Sequence, residues 1–249
     1  MTDFAKKLQT LPEHVQLAIR KGRGISYSRA KTWHTCQLQG KFQYVDKLPH
    51  PSTDEMRHGT MFDTWTEPHD GLMAICPCSM ADQIVLNRAR EYMDMIDKLR
   101  FETVPELLTR WTQYPLYAAL PDDHWFYGWA DDLFLKDGKV IALEDRKFSK
   151  EPWNDNKYKY YDKQAQCYIW ALRQMGIAVS GMTFRVGNLA TPGIQSFTYK
   201  PQQKSLAGIP DWLMEAVRMP SGLIAPKGGR HCEFCAFTRN CDDFLWPTP

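Results

Sequence analysis

An α/β (α+β) fold, a sheet flanked by helices, is predicted by three features of the sequence. Residues 128–147 (GWADDLFLKDGKVIALEDRK) form two runs around Asp137-Gly138, a strong hairpin signal. Helical spacing recurs before and after that hairpin, and two alternating segments, 181–187 and 194–199, add strands. No repeat, low-complexity tract or long linker divides the 249 residues. A single domain over 1–249 is therefore expected, with a helical part at 1–100, a core at 101–200, and a helix and cysteine tail at 201–249.

Taken in order, Pro12 to Lys21 carries Val15, Leu17, Ala18 and Ile19 at helical spacing, and Ser28 is the expected N-cap of a helix through Trp33, Cys36 and Phe42. Thr53 to Glu67 is a third helix, with Asp63 and Glu67 on one face at i and i+4. Alone, that pair reads as surface acid, and His58 as a surface residue. Residues 68–78 read as a loop. Ala81 to Arg100 is a long amphipathic helix with Ile84, Leu86, Ala89, Met93 and Ile96 toward the core. Strand-like residues 101–120 turn at Pro121-Asp122-Asp123 into the hairpin, giving a three-stranded meander. Tyr158 to Met175 repeats Tyr161, Ala165, Tyr168, Ile169 and Leu172 on one side and stops at Gly176. Pro210 to Met219 is the last expected helix.

A net charge of +2 is close to neutral, so affinity for nucleic acid would need a local basic groove. No run approaches the roughly 20 apolar residues of a membrane helix, and the opening residues lack a signal-peptide hydrophobic region. No membrane association is expected, and a cytoplasmic location is, or the host cytoplasm for a virus-encoded chain. Seven cysteines, an odd number, then favour metal or cluster ligation over a disulfide framework.

Asp145 and Lys147 are two residues apart and share one face of a strand. A carboxylate beside an amine suits divalent-metal phosphodiester chemistry; it also suits a solvated, salt-bridged edge pair. Register decides which acid joins them. With a strict two-residue turn, Asp131 lies opposite Glu144 and Asp132 shares the face of Asp145; with a three-residue bulged turn, Asp131 joins Asp145 and Lys147. In the tail, Cys232-x2-Cys235-x5-Cys241 clusters three thiols that zinc or an iron–sulfur cluster could hold, with Cys36, or Cys76 and Cys78, as sources of a fourth. Cys167, inside a helix, reads as a small buried hydrophobe.

Five ordered elements coincide: Ile25-Ser26-Tyr27-Ser28 with Cys36, Gly128-Trp129-Ala130-Asp131, Asp145-x-Lys147, Gln164-x3-Tyr168, and the three closing cysteines. Together they resemble the RecB-like branch of the PD-(D/E)XK nuclease superfamily, in particular iron–sulfur exonucleases related to those of CRISPR adaptation and to nuclease domains of bacterial recombination helicases. Many relatives carry a Gly-x-x-x-His helix where this chain reads Gly59-Thr60-Met61-Phe62-Asp63; an aspartate can still ligate Mg²⁺ or Mn²⁺, since hard cations prefer oxygen. The resemblance implies a restriction-endonuclease-like core with a central mixed sheet, and a bulge or twist that brings Asp131 to Asp145. It implies Mg²⁺ or Mn²⁺ on Asp63, Asp131, Asp145 and the Arg146 carbonyl. Lys147 would be the catalytic cation, and Gln164 and Tyr168 would hold Lys147 or DNA. Cys36, Cys232, Cys235 and Cys241 would hold a [4Fe-4S] cluster, with Zn²⁺ the alternative, and join the N-terminal helix to the tail.

Trp153 to Lys163 interleaves lysines with aromatics, as single-strand binding surfaces do, and Lys157, Tyr158, Lys159 and Tyr160 are the expected DNA contacts. A solvated helix start has the same pattern. The resulting expectation is a metal-dependent exonuclease on single-stranded DNA ends. The alternatives are a structure-specific endonuclease with a structural zinc, or a non-catalytic DNA-binding subunit. A recombination or CRISPR-adaptation protein is the expected partner.

Overall fold

The computed structural model describes residues 3–49, 53–67, 79–102, 108–222, 224–229, 232–233 and 235–245. In chain order the elements are α1 (Asp3–Leu8), α2 (Glu13–Arg20), β1 (Gly24–Ile25), α3 (Tyr27–Thr35), α4 (Gln37–Gly40), a π-helical turn (Lys41–Val45), α5 (Asp54–Thr66) and α6 (Met80–Glu102). There follow β2 (Leu108–Ala119), β3 (Trp125–Lys136), β4 (Lys139–Ser149), α7 (Asp155–Lys159), α8 (Asp162–Gln174), β5 (Met182–Asn188) and β6 (Gln195–Tyr199). The chain closes with α9 (Gln203–Ala207), α10 (Ile209–Arg218), a 3₁₀ turn (Met219–Ser221) and α11 (Thr238–Leu245). It divides into two compact units, one of Met1–Pro51, Tyr117–Gly128 and Ala207–Pro249, the other of Ser52–Leu116 and Trp129–Leu206.

The second unit holds the mixed sheet. β3 runs antiparallel to β4, β4 parallel to β5 and β5 antiparallel to β6, while β2 pairs with β3. α5 and α6 pack on each other and on β4 and β5, burying Phe62, Val85, Tyr92 and Phe134 together. Gly187 in β5 permits that approach, since a Cβ there would stand 3.1 Å from Phe148 and 3.2 Å from Arg88 and Phe62. The hairpin turn is the tight two-residue form: Lys136 faces Lys139, and Asp137 and Gly138 both have positive φ, 51° and 73°. Leu135 then faces Val140 but Phe134 faces Ala142, so Ile141 is an extra residue bulged toward solvent. The turn and the bulge are thus separate devices, and beyond the bulge Asp132 faces Glu144.

In the first unit, β1 pairs in parallel with Trp125 and Phe126 at the start of β3. α10 lies against α3, where the His34 ring stacks on Trp212 at 4.5 Å. The expected helix through Cys36 is interrupted: Cys36 is extended (φ −157°, ψ 119°), and the helix restarts as α4 and the π-helical turn. The N-cap is Ser26, whose hydroxyl accepts from the Arg29 amide, in place of Ser28. Close packing explains why the chain can fold back: the buried Trp33 ring rests on Gly40, and a Cβ there would lie 2.5 Å from Cδ2.

Other expectations are corrected. The helix read over 158–175 is broken at Tyr160 and Tyr161, because the Tyr161 ring leaves helical register to stack on Trp153 at 4.4 Å. The tail has its own helix, α11. Asp54–Thr66 and Met80–Glu102 fall in the same compact unit as the sheet and pack on β4 and β5. His58 is buried at 6% exposure, paired with Asp82 at 3.3 Å. The loop read at 68–78, with Cys76 and Cys78, lies outside the described residues. Among the described residues no helix is long and apolar enough to cross a membrane.

Replacing Gly40 with alanine should destabilise the protein by about 1–3 kcal/mol through overpacking against Trp33. Thermal unfolding should show a melting temperature several degrees lower, and an unchanged one would contradict the packing.

Candidate active site

The β3–β4 ladder runs only as far as Asp132 and Glu144, and the carboxylate of Asp131 takes over beyond it: Asp131 Oδ2 accepts the Arg146 backbone N–H at 2.8 Å. The register places Asp131 beside Asp145 and Lys147, while Asp132, Glu144 and Arg146 project from the opposite face. On the Asp145 side, the Lys147 ammonium pairs with Asp145 Oδ2 and the Gln164 amide donates to Asp145 Oδ1 at 2.8 Å. Tyr168, one turn along α8 from Gln164, lies within electrostatic reach of Asp145 and Lys147. Asp63 comes from α5 within electrostatic reach of Asp131, Asp145, Arg146 and Lys147. The structure therefore assembles Asp63, Asp131, Asp145, Lys147, Gln164 and Tyr168, and the Arg146 carbonyl lies 3.4 Å from the Lys147 amine.

The electrostatics are those of too many acids in too little water. Burial, and then the charge of Asp131, pushes Asp63 up from the ordinary carboxylate range to about 7. Burial likewise pushes Asp145 up, with Lys147 opposing and Asp131 adding to the rise. Burial would lower Lys147, but Asp145 and Asp131 outweigh it, so the ammonium is held charged. Tyr168 is pushed up by burial and by Asp145, so it stays a phenol. Lys147 also lies 5.8 Å from the Tyr161 ring centre.

Behind the site is a second charged layer that local sequence patterns do not show. Asp132, fully buried, accepts from Tyr92 Oη and Arg110 Nε, each at 2.6 Å, and lies 3.6 Å from Arg146 Nε. The buried Arg146 side chain donates to Thr66 Oγ1 at 2.8 Å and reaches Glu67 at 3.5 Å. Glu144 is matched by Arg185 at 3.0 Å. Glu67 thus anchors an arginine, and Asp63 alone of the α5 acid pair joins the carboxylate cluster. Gln113 is a further residue missed in the sequence; its amide donates to Asp131 Oδ1 at 3.3 Å.

The donor set fits a hard divalent cation: carboxylate oxygens on one sheet face, with two of the acids pushed up by burial and mutual repulsion that a cation would relieve. Among the described residues no three His, Cys, Asp or Glu side chains stand in ligand geometry. At the acids, Lys147 and Gln164 each engage one oxygen of Asp145, and Gln113 and the Arg146 amide each donate to one oxygen of Asp131. In the other unit, Cys36, Cys232, Cys235 and Cys241 line one cavity of about 280 Å³ with Leu38, Phe42 and Phe237. Cys36 is buried, Cys235 and Cys241 half-buried and Cys232 exposed. Cys167 is buried among apolar side chains, and burial pushes its thiol up.

The expected DNA contacts divide. Lys157, Lys159 and Tyr160 are exposed, whereas the Tyr158 ring stacks on Phe197 at 5.4 Å and is committed to packing. Tyr158 is thus half-buried, while Tyr160 is 57% exposed and meets the Tyr161 ring edge to face at 5.5 Å.

A family model described as the PD-(D/E)XK nuclease superfamily matches residues 24–242. The fold is similar to that of a crystal structure of a candidate exonuclease from Eubacterium rectale, with TM-score 0.59 and 13% identity over 96% of this chain and 99% of that one. The crystal structure of SSO0001 aligns with TM-score 0.48 and 11% identity, over 95% and 92% of the two chains. No curated protein matches the sequence.

Because the Asp63 carboxyl is raised on folding, the native state keeps its proton at pH values where the unfolded chain has lost it. Stability of the metal-free protein should then fall as pH rises from about 4 through about 7, with the full penalty above. Asp63→Asn removes that penalty. In chelator-treated protein its melting temperature should exceed that of the parent at pH 8 by a few degrees, on the order of 1 kcal/mol, and by less at pH 5. An equal difference at both pH values would contradict the assignment.

Proposed function

Because the chain belongs to the PD-(D/E)XK nuclease superfamily, we propose that it is a metal-dependent DNA exonuclease acting on single-stranded ends. The observation that carries this reading is the convergence of Asp131, Asp145 and Lys147 on one sheet face with Asp63 beside them. Asp63, Asp131, Asp145 and the Arg146 carbonyl would hold Mg²⁺ or Mn²⁺, which when bound polarises the scissile phosphate and lowers the pKa of the attacking water.

The other roles belong to the chain's own groups. Lys147, held charged by its acidic neighbours, places a permanent cation where negative charge develops on the phosphate. It is too strongly protonated to serve as a base. Gln164 fixes Asp145 through Oδ1 and leaves Oδ2 facing Lys147. Tyr168, kept protonated, is available as a hydrogen-bond donor beside Gln164. Lys157 and Lys159, with the ring of Tyr160, supply phosphate and base contacts for an unpaired strand.

The cysteine cavity is assigned to a [4Fe-4S] cluster on Cys36, Cys232, Cys235 and Cys241, because four thiols lining one cavity suit soft thiolate ligation. Zn²⁺ is the competing occupant. A recombination or CRISPR-adaptation protein remains the partner that the family resemblance implies.

Asp145→Ala or Lys147→Ala should lower Mg²⁺- or Mn²⁺-dependent cleavage of labelled single-stranded DNA by at least about 10²-fold, with circular dichroism unchanged. Full activity in either purified variant would remove the proposal. Products released stepwise from single-stranded ends support an exonuclease, while internal cuts in flapped or duplex DNA would replace that reading with the endonuclease one.

Anaerobically purified protein should be brown and contain about four irons per chain, the loading of one [4Fe-4S] cluster. Cys36→Ser should bleach it. Stoichiometric zinc without iron, or neither metal, would overturn the cluster assignment.

A further inference from the structure

β2 contains a backbone feature that strand formation does not explain. Gln113 has φ +49°, in the left-handed region that L-residues other than glycine, asparagine and aspartate rarely enter. A residue kept in such a conformation is held there by its surroundings, and such residues concentrate at functional sites. Two features hold this one. Trp111 and Tyr114, on either side of it, stack with ring centres 5.2 Å apart and planes at 13°. Pro115 follows directly and restricts Tyr114 to extended backbone.

The kink has a consequence at the carboxylate cluster. The Gln113 carboxamide donates to Asp131 Oδ1 at 3.3 Å, while the Arg146 backbone N–H on β4 donates to Oδ2 at 2.8 Å. Asp131 is thus gripped from two strands, through one neutral donor on each oxygen. That differs from Asp145, which is paired with the Lys147 charge. Each Asp131 oxygen accepts one hydrogen bond and retains a further acceptor direction.

We propose that Gln113 is a positioning residue: the left-handed kink of β2 delivers its carboxamide to Asp131, fixing that carboxylate's rotamer for a divalent cation. The inference rests on the metal-dependent nuclease reading. If the kink served packing alone, glycine would adopt it with no strain and asparagine with little. Neither would replace the amide at Asp131, because asparagine is one methylene shorter. Backbone and side-chain roles are therefore separable.

The test is Mn²⁺ binding measured by calorimetry without DNA, so that no turnover is involved, on the parent, Asp145→Asn, Gln113→Gly and Gln113→Asn. The parent should bind and Asp145→Asn should not. Both Gln113 variants should bind roughly 10-fold more weakly, as loss of a ligand-orienting partner does. The Gln113→Gly melting temperature should be held or raised, since glycine relieves the strain. Parent-like affinity in both Gln113 variants would overturn the positioning role while leaving the nuclease reading intact. Absence of Mn²⁺ binding by the parent, or undiminished binding by Asp145→Asn, would overturn that reading and the inference with it.

Discussion

The register in which β3 meets β4 is the constraint on which the rest of the site depends. One extra residue, Ile141, shifts the ladder by a single step, and a single step exchanges the faces of Asp131 and Asp132. The buried layer makes the alternative register expensive. Asp132 accepts from Tyr92 and Arg110 and neighbours Arg146, at no solvent exposure. Were the strand to slip, Asp132 would leave that web and at least one buried arginine would lose its charge partner. Breaking a buried pair in that way costs about 3–5 kcal/mol. The web's own net contribution to stability is modest, since desolvation opposes it; its effect is to make one register far better than its neighbour.

The two faces of the hairpin treat acids in opposite ways, and the contrast separates structure from chemistry. On the inner face each carboxylate has a guanidinium: Asp132 has Arg110 and Arg146, and Glu144 has Arg185. In the Asp131 cluster, Asp63, Asp131 and Asp145 have one ammonium, Lys147, share the Arg146 charge with Asp132, and otherwise rely on amides. The shortage is what pushes Asp63 and Asp145 up, because burial without a matched cation disfavours the charged form. A chain that can supply arginines to the inner face leaves this cluster undermatched, and a divalent cation is the complement that such a surplus of hard oxygen donors would take.

What local pattern determines was readable in the sequence, and what depends on distant partners was not. The Asp137-Gly138 turn, the shared face of Asp145 and Lys147, and the helical spacing of Gln164 and Tyr168 all follow from periods of two and 3.6 residues. The Ile141 bulge does not, because acids at both 131 and 132 leave the pattern equally compatible with either register. Asp132 draws its partners Tyr92 and Arg110 from 40 and 22 residues away, so its structural role has no local signature. His58 was misplaced for the same reason: its burial depends on Asp82, contributed by the next helix. Gln113 carries no turn residue at its own position; only Pro115 marks the strand as irregular. The break at Cys36 is set by how the Trp33 ring sits on Gly40, a contact of shape that residue type does not encode.

The same reasoning bears on the tail. Of the side chains described after Gly222, only Phe237 is buried, and it packs with Cys36, Leu38 and Phe42 in a small apolar cluster. Full burial of one phenylalanine contributes roughly 1.5–3 kcal/mol. Small cores in that position are ordinarily stapled by disulfides or metals. Here the residues around the cluster are the thiols themselves: Cys235 and Cys241 pack against it and Cys36 is part of it. A group held on those sulfurs would tie the extended break after α3 to the turn before α11.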